Sequence, residues 1–521
     1  MAVVSALAGL CLAAILCAFV FRSYLLSDVR IPPSTKLPRG PKGVPILGNL
    51  PQVPLTHSWL KFKQWADQYG PLYSLSLAGN RHVVVSTEKI ANDLLRGRGN
   101  IYSSRPHLPM SCELLSHNLR PVLLPYNDLW RKGRKLMHSL ASESAAPAYE
   151  PVQMRESFRL LKDLLADPNN YETWFERFSA GLVLQLAYGK TVETGDEPIV
   201  RDILEVVHTL ERVISPGAYL VDTFPILMWL PKWLAPFKRE ADGLHQRELS
   251  LFRKNIDDVR AEIANGDQTP SFCRSWLEKE HSFGLNTDEA AYAIGTMFEA
   301  GAGTTAAALM SFMLSMVHHP EWQRRLQQEL DAVVGNSRLP DFDDMPRLPT
   351  VRAIVKETLR WRPVTAGGVP HQLIKDDVYE GVFLPAGTSI HANQWAIHRD
   401  AALYPDAENF RPERWLEPCW PTYREPLTQF PNLQNFSAFG FGRRICPGQA
   451  IAERSLNIAA ARVGWGCTVS KLKGVEVPLY DYTTGLNVQP NKFRFNLEAR
   501  GTHVLKVLGD KAKDSGGSNG A

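Results

Sequence analysis

The stretch Phe439-Gly440-Phe441-Gly442-Arg443-Arg444-Ile445-Cys446-Pro447-Gly448 carries one cysteine in a glycine-rich loop, in the pattern F-x-x-G-x-R-x-C-x-G. No second cysteine lies nearby, which excludes a zinc knuckle and a dithiol redox pair. Gly440, Gly442 and Gly448 let the backbone turn tightly and approach a flat ligand closely. The run from Gln449 to Val463 predicts a helix, so Cys446 falls just before a helix N-terminus. There the partial positive charge favours thiolate over thiol. Arg444, two residues back, can neutralise a carboxylate on the same ligand. A structural cysteine in a tight turn is the simpler alternative, but the whole pattern favours a lone thiolate facing an electron-poor centre.

Other patterns lie upstream. Ala300-Gly301-Ala302-Gly303-Thr304-Thr305 falls in a long apolar helix predicted over 288–317. Two mid-helix glycines cost about 1 kcal/mol each relative to alanine, so something must require them. Ala300 and Gly301 precede Thr304 by four and three residues and share its face. A helix contact through small residues meets the requirement, and so does a groove for a flat cofactor beside a hydroxyl. Glu357-Thr358-Leu359-Arg360, in a helix predicted over 351–361, sets Glu357 and Arg360 on one face. A surface ion pair is the default reading there. Trp130-Arg131-Lys132-Gly133-Arg134 places an indole N–H and a guanidinium at i, i+4, two donors suited to a buried carboxylate. Arg131, Lys135 and His138 fall on a neighbouring face, as ordinary surface charge or as a basic patch able to steer an acidic partner.

In this order along the chain, the motifs resemble those of the cytochrome P-450 monooxygenases, fungal microsomal type. The resemblance implies a mainly α fold with a small β-lobe, and haem b with Cys446 as its axial thiolate. It implies that Trp130, Arg134, Arg105, His371 and Arg444 reach the haem carboxylates, and that Ala300, Gly301 and Phe439 lie against the cofactor. Thr304 matches the family's oxygen-handling threonine. The family pattern is A-G-x-D/E-T-T, and here Gly303 replaces the acid. Proton delivery then falls to Thr304 and water, with Glu299 one turn below as a weaker donor. Glu357 and Arg360 match a structural pair that takes a third member, Arg414, from Phe410-Arg411-Pro412-Glu413-Arg414-Trp415, while Arg411 stays solvated. Segment 216–238 resembles fungal members of the family and points to specialised metabolism.

The same resemblance implies dioxygen activation with electrons from NADPH through a separate reductase. No nucleotide-binding G-x-G-x-x-G follows a strand in this chain. A small organic substrate is expected against segments 106–125, 364–369 and 482–486. Two alternatives stay open: a reductase-independent haem-thiolate isomerase or peroxygenase, and a non-catalytic haem-binding protein.

The bulk properties fit a large catalytic domain. The 521 residues are 44% hydrophobic and 21% charged, with a formal net charge of +4, too small to argue for nucleic acid. Seven cysteines without a C-x-x-C suit a reducing compartment. Residues 1–21 carry no charged side chain, and at 1.5 Å per residue they span roughly 31 Å, the thickness of a bilayer core. Arg22, Arg30, Lys36, Arg39 and Lys42 follow, which predicts a single-pass anchor in the endoplasmic reticulum membrane with the body in the cytosol. The expected organisation is therefore an anchor over 1–21, a Pro/Gly-rich connector over 22–50, the catalytic domain over 51–505 and a disordered tail over 506–521.

Overall fold

The computed structural model describes residues 31–215, 217–423 and 433–516. The anchor expected over 1–21 lies outside the described residues.

Helix α1 (Ser58–Tyr69) leads into a hairpin of β1 (Leu72–Leu77) and β2 (Asn80–Val85). Its two turn residues, Ala78 and Gly79, both take positive φ, +48° and +84°, the geometry that matches strand twist. Thr87 caps the following turn by accepting from the Ile90 N–H. The helical body follows: α2 (Asp128–Ala141), α3 (Glu150–Ala166), α4 (Tyr171–Tyr188), α5 (Pro198–Ile214), α6 (Pro236–Ala264), α7 (Thr287–His318), α8 (Pro320–Val333) and α9 (Pro349–Trp361). Short strands β3 (His371–Gln372), β4 (Asp377–Tyr379), β5 (Val382–Leu384) and β6 (Ser389–Ala392) return to the early lobe. One sheet runs in the order β1-β2-β6-β3, with β2 and β6 parallel and His82 opposite Ser389. The chain ends with α10 (Gln449–Gly466), the β7 (Cys467–Lys471) and β8 (Phe495–Ala499) ribbon, and α11 (Thr502–Gly516).

Helix α7 organises the body. It starts at a reciprocal cap, in which Asn286 accepts from the Glu289 N–H and Glu289 accepts from the Asn286 N–H, both at 2.9 Å. Among the described residues it is the one helix long and apolar enough to cross a membrane, and most of it is buried inside the protein. It packs against α4, α6 and α10. Pro320 opens α8, which buries Leu326 and Leu330, and Gly335 at φ +72° lies just past its end.

Both ends of the body differ from expectation. The Pro/Gly segment expected as a connector is tied into the β-lobe from Lys36 onward: Lys36 bridges Val382, and the Arg39 carbonyl accepts from the Ser74 N–H at 2.7 Å. At the other end, α11 runs to Gly516 through a segment expected to be disordered from 506. Leu508, like Val504, is buried in the main core, and apolar spacing of four residues outweighs the polar composition. Residues 517–521 lie outside the described residues.

Candidate functional site

The cysteine loop is a succession of tight turns. Gly440 and Gly442 hold positive φ, +87° and +57°. A Cβ on Gly442 would lie 2.1 Å from the Leu95 carbonyl oxygen, so only glycine fits. The Cys446 N–H donates to the Phe439 carbonyl at 2.9 Å and closes the loop. Phe439 itself is half-buried on the rim of the main core. The Cys446 side chain has exposed surface, yet the surrounding protein still makes burial the leading influence on its thiol, pushing it up against the Gly448 N–H and Arg134. The Gly448 N–H at the helix start favours the thiolate, the direction expected, while burial opposes it in the protein alone; a metal bound at the thiol would complete the ionisation. Among the described residues no group of three or more His, Cys, Asp or Glu could hold a metal ion. A metal at Cys446 must bring its other ligands with it, as haem does.

Around this loop positive charge gathers with no carboxylate paired to it among the described residues. Arg444 donates to the carbonyls of Ser103 (2.7 Å), Pro121 (3.2 Å) and Leu124 (2.7 Å), and stacks 4.4 Å over the Trp130 ring. Buried Arg105 donates to Val122, Val369 and Pro370 carbonyls. Arg134 donates to the Ile445 carbonyl at 2.6 Å, and the His371 Nδ1 pairs with the Tyr102 carbonyl at 2.8 Å. Burial, with repulsion from Arg105 and Arg134, pushes Arg444 down to about 8. Burial alone pushes Arg105 to about 9 and, with Arg105 adding to it, lowers His371 well below its ordinary value. Three guanidiniums bonded to carbonyls alone are short of negative charge, and the two carboxylates of a haem group are the anions such a cluster fits.

On α7 the burial breaks at Ala300, Gly301, Gly303 and Thr304, in the middle of an otherwise buried helix. These residues play different parts. Gly301 faces α4: a Cβ there would lie 2.4 Å from Val183, and the Ser179 hydroxyl donates to its carbonyl at 2.7 Å. Its glycine is therefore required by helix packing, not by a groove shared with Thr304. Ala300 is exposed, and a Cβ on Gly303 meets nothing within 4 Å. The Thr304 hydroxyl donates to the Ala300 carbonyl at 2.8 Å, which leaves its oxygen facing outward as an acceptor.

Glu357, Arg360 and Arg414 have fully buried side chains. Arg360 grips Glu357 in a bidentate pair at 2.8 and 2.7 Å, and Arg414 reaches it at 3.2 Å. The Trp415 indole and the Arg411 N–H complete the carboxylate's shell at 3.0 and 2.8 Å. This is no surface pair. The Arg411 side chain instead pairs with Asp406 and Glu413 near the surface. Arg360 also donates to the His398 carbonyl, and His398 contacts Ser437 at the head of the cysteine loop.

The three expected pocket segments converge in part. The Val488 N–H donates to Val364 at 2.7 Å, and Arg105 ties 122 to 369–370. Tyr482 instead turns into the core, its hydroxyl 3.2 Å from Ser311. Sequence reasoning missed Arg120 and Glu248. Arg120, fully buried, pairs with both Glu248 and Glu299. An arginine in a loop gives no sign of burial, and the three residues are far apart in sequence. Burial above all pushes Glu299 up to about 8, with Arg120 opposing and Glu248 and Glu211 adding to it.

A mainly helical body around one core helix, with an accessible cysteine beside cations that pair with no carboxylate among the described residues, has the features of a thiolate-ligated haem protein. The family profile for cytochrome P450 matches residues 38–497, and the chain belongs to that family. It is 36% identical over 500 residues to cytochrome P450 monooxygenase 253 of Postia placenta, covering 94% of each chain. It is 36% identical to cytochrome P450 monooxygenase fogE of Aspergillus ruber over 91% of this chain and 89% of the other. With cytochrome P450 monooxygenase virE of Hypocrea virens it shares 35% over 89% and 85%. Among solved structures, a zebra fish cytochrome P450 with abiraterone aligns at a TM-score of 0.68 and 23% identity, over 85% of this chain and 100% of the other, a likeness of fold. The protein is an oxygenase enzyme of a family that binds haem through a cysteine thiolate.

Proposed function

We propose that the protein is a haem-thiolate monooxygenase that oxidises a small organic molecule in fungal specialised metabolism, with electrons from NADPH through a separate reductase. The observation that carries this reading is the group Arg105, Arg134 and Arg444, packed around the Cys446 loop with no paired carboxylate among the described residues. Cys446 is the axial ligand, and the three arginines with Trp130 hold the haem carboxylates. When bound, haem supplies the activation of dioxygen. The chain's own part is to fix the ligand loop through the Glu357 cluster and to present the Thr304 oxygen beside an open face of α7. Incubation with NADPH, added reductase and ¹⁸O-labelled dioxygen, using an extract of a strain lacking the gene as the substrate source, tests the reading. One labelled oxygen in an NADPH-dependent product supports it. A product formed with peroxide and no reductase would instead favour a peroxygenase.

Thr304 is proposed to couple oxygen activation to substrate oxidation. Thr304→Ala keeps haem binding and diverts electrons to hydrogen peroxide, lowering product per NADPH by on the order of tenfold or more. An unchanged ratio would mean that this threonine only packs the helix.

The membrane location rests on the uncharged first 21 residues and on apolar surface in the body. Leu55, Leu220, Ile226, Trp229, Trp233 and Leu234 are exposed, and Gly217 lies against Leu55, which joins the two segments. The full chain is expected to stay in membranes after alkaline carbonate washing, with its body open to protease added from the cytosolic side. Release by carbonate, or protection of the body, counts against it.

A further inference from the structure

Resting on the monooxygenase reading, we propose that Glu299, held by Arg120 against Glu248, is the internal proton donor that replaces the missing acid at Gly303. The argument begins with geometry. Glu299 precedes Gly303 by four residues and shares its face of α7. A helical side chain covers the turn N-terminal to its own Cα, so the space a side chain at 303 would fill lies over the turn of Glu299 and Ala300. That space is open. It borders Thr304, whose oxygen faces outward as an acceptor because its own proton is donated to Ala300.

The cluster behind Glu299 is built for holding a proton. Two carboxylates share one guanidinium, and Glu299 Oε1 and Glu248 Oε1 are both buried without a partner. One positive charge cannot satisfy two buried carboxylates, so one of them keeps a proton. Arginine does not give up its proton, so Arg120 is a positioning residue, and the two orphan oxygens are where water completes the path. Of the two carboxylates, Glu299 is the one on α7, one turn from the open space at Gly303, and burial with Glu248 and Glu211 raises it against Arg120. Beside them, the Tyr292 hydroxyl lies 3.1 Å from the His245 Nδ1, which also faces the Leu115 carbonyl at 2.8 Å. Each turnover consumes two protons and two electrons from NADPH to leave one oxygen in product and one in water. A proton leaves the Glu299 carboxyl for the Thr304 oxygen through water beside Gly303, the threonine passes its own proton on, and solvent restores Glu299 through Glu248.

The test uses the full-length haem-loaded protein with reductase, NADPH and 7-ethoxycoumarin as probe substrate. Peroxide released per NADPH is compared in wild type, Glu299→Gln and Glu299→Gln/Gly303→Asp. The glutamine variant is expected to raise peroxide yield severalfold, and the aspartate, which has room, to bring it back toward wild type. A packing defect would not be rescued by an acid one turn away. Independently of activity, the wild-type infrared spectrum is expected to show a carboxylic acid C=O band that persists at neutral pH, disappears between about pH 6 and 10, and is absent from Glu299→Gln. Because the folded protein keeps this proton above the ordinary carboxyl pKa, stability in urea falls as pH rises from about 4.5 to about 8, and Glu299→Gln removes that slope. Equal peroxide yields in wild type and Glu299→Gln, a wild type that returns all its electrons as peroxide, or no titrating band would overturn the proposal. Failure of the wild type to consume NADPH at all would instead overturn the monooxygenase reading.

Discussion

Cys446→Ser is expected to abolish the red-shifted absorption band of the reduced carbon monoxide complex and to reduce NADPH-supported oxidation to background. A serine hydroxyl is a harder and far less acidic donor than a thiol, and cannot push electron density onto iron as a thiolate does. The surroundings sharpen the effect. Burial already opposes ionisation at position 446, and the Gly448 N–H and Arg134 offset it only in part, so an alkoxide has no support there. The loop itself should persist, because its closure depends on the Cys446 N–H and on Gly440 and Gly442, none of which the substitution touches. Haem content and far-ultraviolet circular dichroism check that the fold survives. A variant that kept the shifted band would assign the ligand to another residue.

Glu357→Gln is expected to lower stability by about 3–5 kcal/mol, the usual cost of removing one partner from a buried ion cluster. Two guanidiniums with fully buried side chains, Arg360 and Arg414, would lose their shared carboxylate, and because the amide keeps one acceptor oxygen, either the Trp415 indole or the Arg411 N–H would face an NH₂ donor instead. The damage should spread to the haem loop, because Arg360 also holds the His398 carbonyl and His398 reaches Ser437. Urea unfolding of the haem-loaded protein measures the loss, and earlier disappearance of the thiolate-type carbon monoxide band on heating reports its spread. A cost below about 1 kcal/mol, typical of an exposed pair, would reduce this cluster to an ordinary ion pair.

Much of the site is legible in the letters because its signals are local. A cysteine in a glycine loop before a helix, a helix broken by small residues before a threonine, and the E-x-x-R spacing are all read within a few residues of each other. Backbone geometry at the hairpin and the start of α7 is equally local, since Gly79 and the Asn286–Glu289 cap act through their nearest neighbours.

Spacing alone could not assign the small residues of α7. Gly301 and Gly303 look alike in sequence, yet one is pressed against Val183 and the other opens on free space, because only the position of α4 distinguishes them. Likewise, spacing puts Glu357 beside Arg360, while burial turns a weak surface pair into a cluster whose disruption is costly. The sequence by itself determined the order of the motifs and, through their resemblance to the cytochrome P-450 monooxygenases, the haem-thiolate class and the glycine that stands at 303 in place of the family acid. Only the tertiary structure decided where charge goes unbalanced. It brought Arg105, Arg134 and Arg444 together with no carboxylate to pair them among the described residues, and it buried Arg120 between Glu248 and Glu299. The reason is physical: the energy of a charge depends on its solvent exposure and its distance to other charges, and both are set by contacts between residues far apart in the chain.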